Sequence, residues 1–101
     1  MIVRDSLIGV YMMSSRKNGP IYTGVTSQLL HRVYQHRNGL TEGFTRRYNC
    51  RRLVWFELHE LIAAAIQREK RLKKYPRQWK VNLIETENPD WEDLWDRIAR
   101  A

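Results

Sequence analysis

The chain contains a single cysteine, Cys50, among its 101 residues. An internal disulfide is therefore impossible, which excludes the disulfide-stapled scaffolds of small secreted proteins and favours a reducing, cytoplasmic environment. A reactive cysteine needs a histidine or a strongly basic setting to lower its pKa. Only Arg51 stands beside Cys50, so we interpret this cysteine as an incidental small residue.

Long apolar runs and the common catalytic signatures are also missing. No run approaches the roughly 18 residues that a membrane span requires, and no signal-peptide core follows Met1. We therefore expect no association with a membrane. The sequence has no CxxC or HExxH pair, no glycine-rich P-loop and no GxSxG elbow. These absences argue against a structural zinc site and against zincin, P-loop and serine-hydrolase chemistry.

The length allows one domain, which we place at residues 1–101, with one small core. The hydrophobic content of 43% is ordinary for a globular protein, and four tryptophans and five tyrosines supply large surfaces for burial. Internal repeats, low-complexity tracts and linkers are not apparent. Catalysis and recognition must therefore share one small domain.

Positive charge is concentrated in the middle of the chain. The net charge is +7, to which residues 1–27 contribute +2, residues 28–80 contribute +9 and residues 81–101 contribute −4. Such a basic segment attracts polyanions. The alternative is a solvated charged face, but arginine outnumbers lysine in this segment and aromatic residues are interleaved with it. Because guanidinium groups bind phosphate and stack on bases, the composition favours nucleic acid.

Two apolar, β-prone segments, residues 7–13 and 20–25, flank a polar loop that contains an Asn-Gly pair. This pattern predicts a hairpin with a long loop. Alternation along each strand places Tyr22 and Gly24 on one face of the second strand. Tyr11 of the first strand can lie on the same side if the register allows it. Two phenols at one place can handle a proton or a phosphate oxygen.

The remainder of the chain is predicted to be largely helical. In chain order we expect a helix over 27–37, a loop or short irregular helix over 40–51, a third strand over 52–57, and helices over 60–74, 78–85 and 91–99.

The longest predicted helix carries an anomaly at Glu69. Its inward positions follow steps of three and four residues, and the pattern requires an apolar residue where Glu69 stands. An inward carboxylate needs a cation, a hydrogen-bond donor or a water-filled cleft. In the alternative register, Glu69 is exposed and pairs with Lys73 at i,i+4.

The polar candidates form a set suited to phosphodiester hydrolysis. They comprise the two strand tyrosines, Arg32 and His36 four residues apart on the first helix, and the single carboxylate of Glu69. One carboxylate is enough to hold a mostly hydrated Mg²⁺ ion. An arginine stabilises charge on phosphoryl oxygens, and a phenol can relay a proton from water. Taken singly, each residue has an ordinary structural explanation, namely packing for the tyrosines and a solvated helix surface for the others.

The chain resembles the GIY-YIG nuclease family at several motifs in the expected order. It is most similar to the small single-domain bacterial members, which are related to the amino-terminal nuclease of the excision-repair incision subunit. The motifs that carry the resemblance are Gly9-Val10-Tyr11, Tyr22-Thr23-Gly24, the helix segment 30–36, the acidic helix segment 65–74 and the tail segments 79–85 and 88–91.

The resemblance implies an α+β fold and a metal-dependent endonuclease site on one face of the sheet. The fold is a small α/β sandwich whose three-stranded antiparallel sheet is flanked by helices, in the order β-β-α-(loop or short α)-β-α-α. By position, Tyr11 resembles the general base or water-activating tyrosine, and Tyr22 resembles the second phenol. Arg32 matches the arginine that neutralises the scissile phosphate, and Glu69 matches the ligand of a single Mg²⁺ or Mn²⁺ ion. His36 stands where some members place a proton-transfer histidine.

The chain departs from the family pattern at two positions. Val25 follows the second motif where the repair nucleases carry an assisting lysine. Asn82, thirteen residues after Glu69, is the nearer match to the late asparagine of the family. Asn88 is interpreted instead as a helix cap.

We therefore expect a cytoplasmic bacterial nuclease that cuts nucleic acid, DNA in preference to RNA, with low sequence specificity and a possible role in DNA repair. No small-molecule cofactor is expected, and the protein is expected to be a monomer or a weak dimer. Gly24 is kept as a possible site residue. The basic surface that would hold the nucleic-acid backbone comprises Arg46, Arg47, Arg51, Arg52, Lys73 and Lys74.

Two alternatives belong to other functional classes. The first is a nucleic-acid-binding module that has the fold but no turnover. The second is an interaction protein whose acidic tail, with Trp91 and Trp95, docks onto a partner or a second copy.

Overall fold

A three-stranded antiparallel sheet forms the centre of the structure, a computed structural model that describes residues 5–100. The strands lie in the order β2-β1-β3. The elements are β1 (Ile8–Ser14), β2 (Ile21–Thr26), α1 (Leu29–Arg37), α2 (Phe44–Arg47), β3 (Arg52–His59), α3 (Ile62–Lys73), α4 (Arg77–Glu87) and α5 (Trp95–Ala99). This architecture confirms the α+β fold predicted from the motifs.

Helices cover both faces of the sheet because the central strand β1 is apolar on both sides. Val10 and Met12 are fully buried in one core with residues of α3 and α4. Tyr11 and Met13 are buried in a second core with residues of α1 and α5. Successive side chains of a strand point to opposite faces, so the two cores lie on opposite sides of the sheet.

The hairpin of β1 and β2 has the register that brings its tyrosines to one side. Tyr11 pairs with Gly24, and Met13 pairs with Tyr22. Residues that are paired across an antiparallel ladder point to the same face. Tyr11 and Tyr22 therefore share the face covered by α1, as the alternation of the sequence predicted.

The predicted end of the first helix agrees with the structure, and the segment predicted to be a loop or short irregular helix is largely irregular. Helix α1 ends at Arg37, the last residue of the predicted range 27–37, and Gly39 just beyond it has a φ of +65°, a value that glycine adopts without strain. The segment 40–51 contains only the four-residue helix α2. The longest helix is α3, which occupies 62–73 of the predicted range 60–74.

The predicted last helix over 91–99 is wrong in its first half, because only Trp95–Ala99 is helical. The preceding residues pair with the edge of β3 instead. Leu94 donates its backbone N–H to the carbonyl of Leu53 over 2.7 Å, and the Leu53 N–H donates to the carboxylate of Asp93. Trp91 has a φ of +53°, which a right-handed helix does not accommodate. Tertiary hydrogen bonds thus override the local helical pattern.

The acidic, tryptophan-bearing tail is part of the fold of this chain. Trp91 is fully buried and its indole N–H donates to Glu85. Trp95 lies beneath the guanidinium of Arg37, 5.1 Å from the ring centroid, and Arg37 also pairs with Asp93. The two indoles that suggested a docking tail are therefore engaged within the chain.

None of the helices between residues 5 and 100 has the length and apolarity needed to cross a membrane.

Asn88 fixes the end of α4 to β3, so its amide should contribute strongly to stability. The side chain is buried; it donates to the carbonyls of Val54 and Glu92 and accepts from the N–H of Glu92. We expect Asn88→Ala to lower the free energy of unfolding by about 2–3 kcal/mol, because buried backbone groups lose their partners. The measurement is urea unfolding followed by circular dichroism.

Asn82→Ala is the matched control for this prediction. Asn82 is exposed, and its side chain accepts only from Gln78 of the same helix. Its substitution should change the unfolding free energy by less than about 0.5 kcal/mol. Equal effects of the two substitutions would contradict the structural role given to Asn88.

Candidate active site

The centre of the candidate site is a buried hydrogen bond between Tyr11 and His36. The hydroxyl of Tyr11 lies 2.8 Å from Nε2 of His36, although the residues are 25 positions apart. Tyr11 is 1% exposed and His36 is 3% exposed. His36 reaches this position because it lies four residues after Arg32 and three after Val33, on the face of α1 that packs on the sheet. The contact joins the central strand to α1.

Gly24 provides the space that the phenol of Tyr11 occupies. A Cβ atom added at Gly24 would lie 2.5 Å from the hydroxyl oxygen and 2.6 Å from Cζ of Tyr11. Any other residue at this position would displace the ring. Gly24, a candidate site residue from the sequence, therefore acts through Tyr11.

Two threonine hydroxyls hold the other nitrogen of His36. Nδ1 lies 3.1 Å from Oγ1 of Thr41 and 3.0 Å from Oγ1 of Thr45, and the two hydroxyls lie 2.8 Å apart. Both threonines are buried. Since a hydroxyl can either donate or accept, the pair supports either neutral tautomer of the imidazole. The orientation of the ring is fixed from both sides.

Tyr22 and Arg32 lie next to this pair. The ring centroid of Tyr22 is 6.2 Å from that of Tyr11 and 5.4 Å from that of His36. Tyr22 is partly exposed, so its phenol forms the rim of the buried site. The guanidinium of Arg32 donates to the side chain of Gln35 over 3.1 Å, which holds it along α1. Tyr11, Tyr22, Arg32 and His36 are thus brought together as the sequence predicted.

Burial and charge keep both central groups neutral. Burial raises the pKa of Tyr11 well above its usual range, the Tyr22 phenol raises it further, and Arg32 acts in the opposite direction. Burial lowers the pKa of His36 from 6.5 to about 4, and the positive charge of Arg32 lowers it further. A phenol and a neutral imidazole therefore face each other near pH 7.

Glu69 lies on α3, which packs on the opposite face of the sheet from Tyr11. It stands between the buried residues Ala65 and Leu72 on the stripe of α3 that faces the sheet. Only 14% of its side chain is exposed, yet the carboxylate lies 3.4 Å from Nζ of Lys73. Both sequence interpretations are therefore partly correct: the carboxylate is inward and it also has an i,i+4 partner. It makes no hydrogen bond to Tyr11, Tyr22 or His36 within residues 5–100. The expectation that the whole site lies on one face of the sheet is therefore wrong for Glu69, because α3 packs on the face opposite the phenols.

The chemistry of Glu69 fits a single hydrated divalent ion. In the part of the chain that the structure describes, no three His, Cys, Asp or Glu side chains are grouped to enclose a metal. Mg²⁺ and Mn²⁺ accept one or two carboxylates and keep several waters. A single carboxylate that is sheltered but still partly open to solvent matches that requirement.

The structure separates the predicted basic residues into three pairs. Arg46 and Arg47 are exposed on α2, on the same side of the sheet as His36. Lys73 and Lys74 are exposed at the end of α3, on the other side. Arg51 and Arg52 are exposed at the start of β3, where Arg52 donates to the carbonyl of Trp91.

Asn82 is exposed on α4 and bonded only to Gln78 within the described residues. Helix α4 packs in the core opposite the phenols, so the structure does not join Asn82 to the tyrosines. Asn88 was expected to cap the last helix, but that helix begins only at Trp95. It lies instead at the C-cap position of α4, and its side chain bonds to Val54 of β3 and to Glu92.

Sequence reasoning missed Thr41 and Thr45 as site residues, and it missed Arg77 and Lys80 as basic neighbours of Lys73. The threonines fall in a segment without periodicity, so no local signal identifies them. Burial lowers the pKa of Lys80, and the nearby Lys73 and Arg77 lower it further. That crowding of positive charge arises where α3 and α4 meet, and their helical spacing alone does not reveal it.

Comparison with known proteins gives a family match over most of the chain. The model of the GIY-YIG catalytic domain matches residues 7–82. A UPF0213 protein of Clostridium perfringens is 35% identical over 79 residues, which are 78% of this chain and 84% of that protein. A UPF0213 protein of Staphylococcus saprophyticus is 32% identical over 68 residues, or 67% of this chain and 83% of that protein. No solved structure matches the chain.

The lowered pKa of His36 predicts that stability falls in mild acid. The unfolded chain takes up this proton near pH 6.5, whereas the folded chain takes it up only near pH 4. The contribution is therefore complete above pH 6.5 and is lost as the pH falls to about 4. We expect His36→Gln to remove about 3 kcal/mol of this pH dependence of the unfolding free energy.

The measurement is chemical denaturation at several pH values between 4 and 7. His31→Gln, at an exposed position of the same helix, is the control and should retain the pH dependence of the wild type. An identical slope in the wild type and in His36→Gln would show that His36 is not buried in its neutral form. An NMR titration of the imidazole resonances gives an independent reading of the same pKa.

Proposed function

The chain belongs to the GIY-YIG family of nucleases, and from this premise we propose that it is a metal-dependent endonuclease acting on phosphodiester bonds in DNA. The observation that carries the proposal is the buried hydrogen bond between Tyr11 and His36, with Tyr22 and Arg32 beside it. A phenol, an imidazole and a guanidinium at one place can move a proton and balance phosphate charge.

The pKa shifts favour a proton relay over a phenolate base. Because burial raises the pKa of Tyr11, the phenolate is scarce near neutral pH. In the tautomer with hydrogen on Nδ1, His36 donates to a threonine hydroxyl and accepts at Nε2 from Tyr11. Tyr11 can then take a proton from the attacking water as it passes its own proton to His36.

A bound phosphate should make His36 a better base. In the free protein, the positive charge of Arg32 lowers the imidazole pKa. The negative charge of a phosphate at Arg32 would offset that effect and favour the imidazolium. The same arginine stabilises the charge that develops on the phosphoryl oxygens during attack. Substrate binding thus brings the pKa of the base closer to neutrality, where general-base catalysis is efficient.

Glu69 is the residue that would hold the divalent ion, Mg²⁺ or Mn²⁺. When bound, such an ion supplies Lewis-acid stabilisation of charge on the phosphate. Strand β2 lies at the edge of the sheet, carries Tyr22 and packs against α3, which carries Glu69. We therefore propose that the scissile phosphate lies at the outer edge of β2, where side chains from both faces of the sheet can contact it.

Low sequence specificity follows from the small size of the domain and the exposed arginines. Arg46 and Arg47 lie on the side of the sheet that carries His36. Guanidinium contacts to phosphate position a strand but do not read its sequence. We therefore expect the protein to select nucleic acids by their shape.

One observation favours a second candidate, a nucleic-acid-binding module without turnover. The carboxylate of Glu69 is already paired with Lys73 at 3.4 Å. This ammonium group would compete with a divalent ion for the carboxylate. If the ion does not bind, the basic surface would bind DNA with no metal requirement.

The decisive experiment compares cleavage by the wild type and by Glu69→Gln. Plasmid, single-stranded and branched DNA are incubated with Mg²⁺, Mn²⁺ or EDTA. We expect wild-type cleavage only with metal, no cleavage by Glu69→Gln, and a loss of roughly 10²- to 10⁴-fold for Tyr11→Phe because the proton relay is broken. Glu87→Gln, at an exposed position of α4, is the control and should cleave like the wild type.

Metal binding is measured separately by electron paramagnetic resonance of Mn²⁺. Glu69→Gln should abolish binding, whereas Tyr11→Phe should retain it. Cleavage that persists in EDTA and in Glu69→Gln would contradict the metal-dependent mechanism. Metal-independent binding of DNA without cleavage of any substrate would support the binding module.

A further inference from the structure

Helix α2 and the residue that follows it present two large aromatic side chains to solvent. Phe44 is 41% exposed and Tyr48 is 43% exposed, with their ring centroids 4.6 Å apart. Neither belongs to the two cores of the protein. We call this pair of rings the α2 platform. Since it adds little to the core, its exposure requires another explanation.

The α2 platform continues the row of rings that begins in the candidate site. The centroid of Phe44 is 6.2 Å from that of Tyr22, and Tyr22 is 5.4 Å from His36. Thr45, the residue next to Phe44, holds Nδ1 of His36. A ligand seated on Phe44 would therefore lie one aromatic ring away from the groups that act on the phosphate.

The surroundings of the α2 platform carry positive charge and a cavity of suitable size. An open cavity of about 770 Å³ is lined by Glu42, Gly43, Phe44, Arg46, Arg47 and Tyr48. The guanidinium of Arg47 lies 5.4 Å from the centroid of Tyr48. Exposed aromatic rings beside arginines form surfaces on which bases stack while the phosphates meet cations.

We propose that the α2 platform binds an unpaired nucleobase of the substrate, adjacent to the phosphate in the candidate site. The proposal rests on the nucleic-acid binding included in the proposed function. A base inside an intact duplex is covered on both faces by its neighbours, so it cannot offer a face to Phe44. A base in a single strand, a gap or a flap can do so. The substrate class assigned is nucleic acid with at least one unpaired base beside the cut.

The charge near the rings favours a nucleobase over an apolar protein segment. Two arginines and one glutamate line the cavity with the two aromatic residues, and the protein as a whole is strongly basic. A polyanion is drawn to such a surface. The open faces of the rings then contribute stacking, which does not depend on base identity.

The test is binding of a labelled single strand and of a blunt duplex of the same sequence, measured by fluorescence anisotropy in EDTA. Phe44→Ala and Tyr48→Ala should each weaken binding of the single strand by about ten-fold, because a stacked base loses its partner. Binding of the duplex should change by less than about two-fold, since the arginines that bind phosphate remain.

Two kinds of variant control for effects other than stacking. Tyr34→Ala removes an aromatic residue of similar exposure, 51%, from α1 and should bind both DNAs like the wild type. Phe44→Trp keeps an aromatic face and should restore binding of the single strand. Phe44→Trp also provides a test of stacking if Phe44→Ala disturbs α2 and thereby the contact of Thr45 with His36.

A fluorescent base reports stacking directly. A single strand with one 2-aminopurine should lose fluorescence on binding to the wild type and to Phe44→Trp, but much less on binding to Phe44→Ala. The 2-aminopurine is then moved along the strand, and the cleaved bond is located in each strand by adding metal afterwards. Quenching should be largest when the 2-aminopurine lies next to the cleaved bond.

The outcomes separate this proposal from the proposed function. If the platform variants match Tyr34→Ala, or weaken single strand and duplex equally, the α2 platform is not a base site, whether or not the wild type cleaves DNA. If selective loss is seen but no substrate is cleaved, the base site stands and the nuclease proposal fails. If the wild type binds no nucleic acid, both fail. A change of oligomeric state without a change in DNA binding would make the platform a protein contact and overturn the proposal.

Discussion

The side chains of Tyr11 and His36 meet inside the protein, and much of the remaining structure serves to make that contact possible. The phenol occupies space that exists because its strand neighbour is Gly24. The imidazole is held at its far nitrogen by Thr41 and Thr45, which the short helix α2 and its preceding loop deliver. Because the ring has hydrogen-bond partners on both sides, its position does not depend on a single hydrogen bond. The central strand, α1 and α2 therefore form one unit around this contact.

Burial of this contact has an energetic cost that also defines its chemistry. Desolvation holds the imidazole neutral and the phenol protonated, so neither group carries a charge before substrate arrives. A preformed phenolate beside Arg32 would be a stronger base, but it would require a solvated or more strongly charged setting. In the proposed mechanism, the neutral partners instead transfer a proton as phosphate charge enters the site. The dependence of that mechanism on bound charge follows from the same burial that fixes the geometry of the contact.

The sequence predicted the parts of the site that depend on local periodicity. Alternation in the strands placed Tyr11 and Tyr22 on one face, and the four-residue step from Arg32 placed His36 beside it. Thr41 and Thr45 were not predicted because their role arises from a tertiary contact with His36, which a segment without a period does not encode locally. The last helix was predicted four residues too long, because hydrogen bonds from Asp93 and Leu94 to β3 outweigh its helical pattern. Periodicity also cannot predict on which side of the sheet α3 packs. The position of Glu69 relative to the two phenols therefore became known only from the structure.

The division of α2 into an inner and an outer side bears on how a domain of this size can combine catalysis with recognition. Thr45 points to His36, while Phe44 of the same short helix and Tyr48 at its C-cap face solvent. A ligand bound to the outer rings can therefore affect the imidazole through a helix of only four residues. Such a helix has few internal hydrogen bonds and depends on its contacts for order. If a base stacks on the outer side, its binding energy would stabilise α2 and with it the threonines that orient His36. Substrate recognition and proton transfer would then be coupled within this domain through one turn of helix.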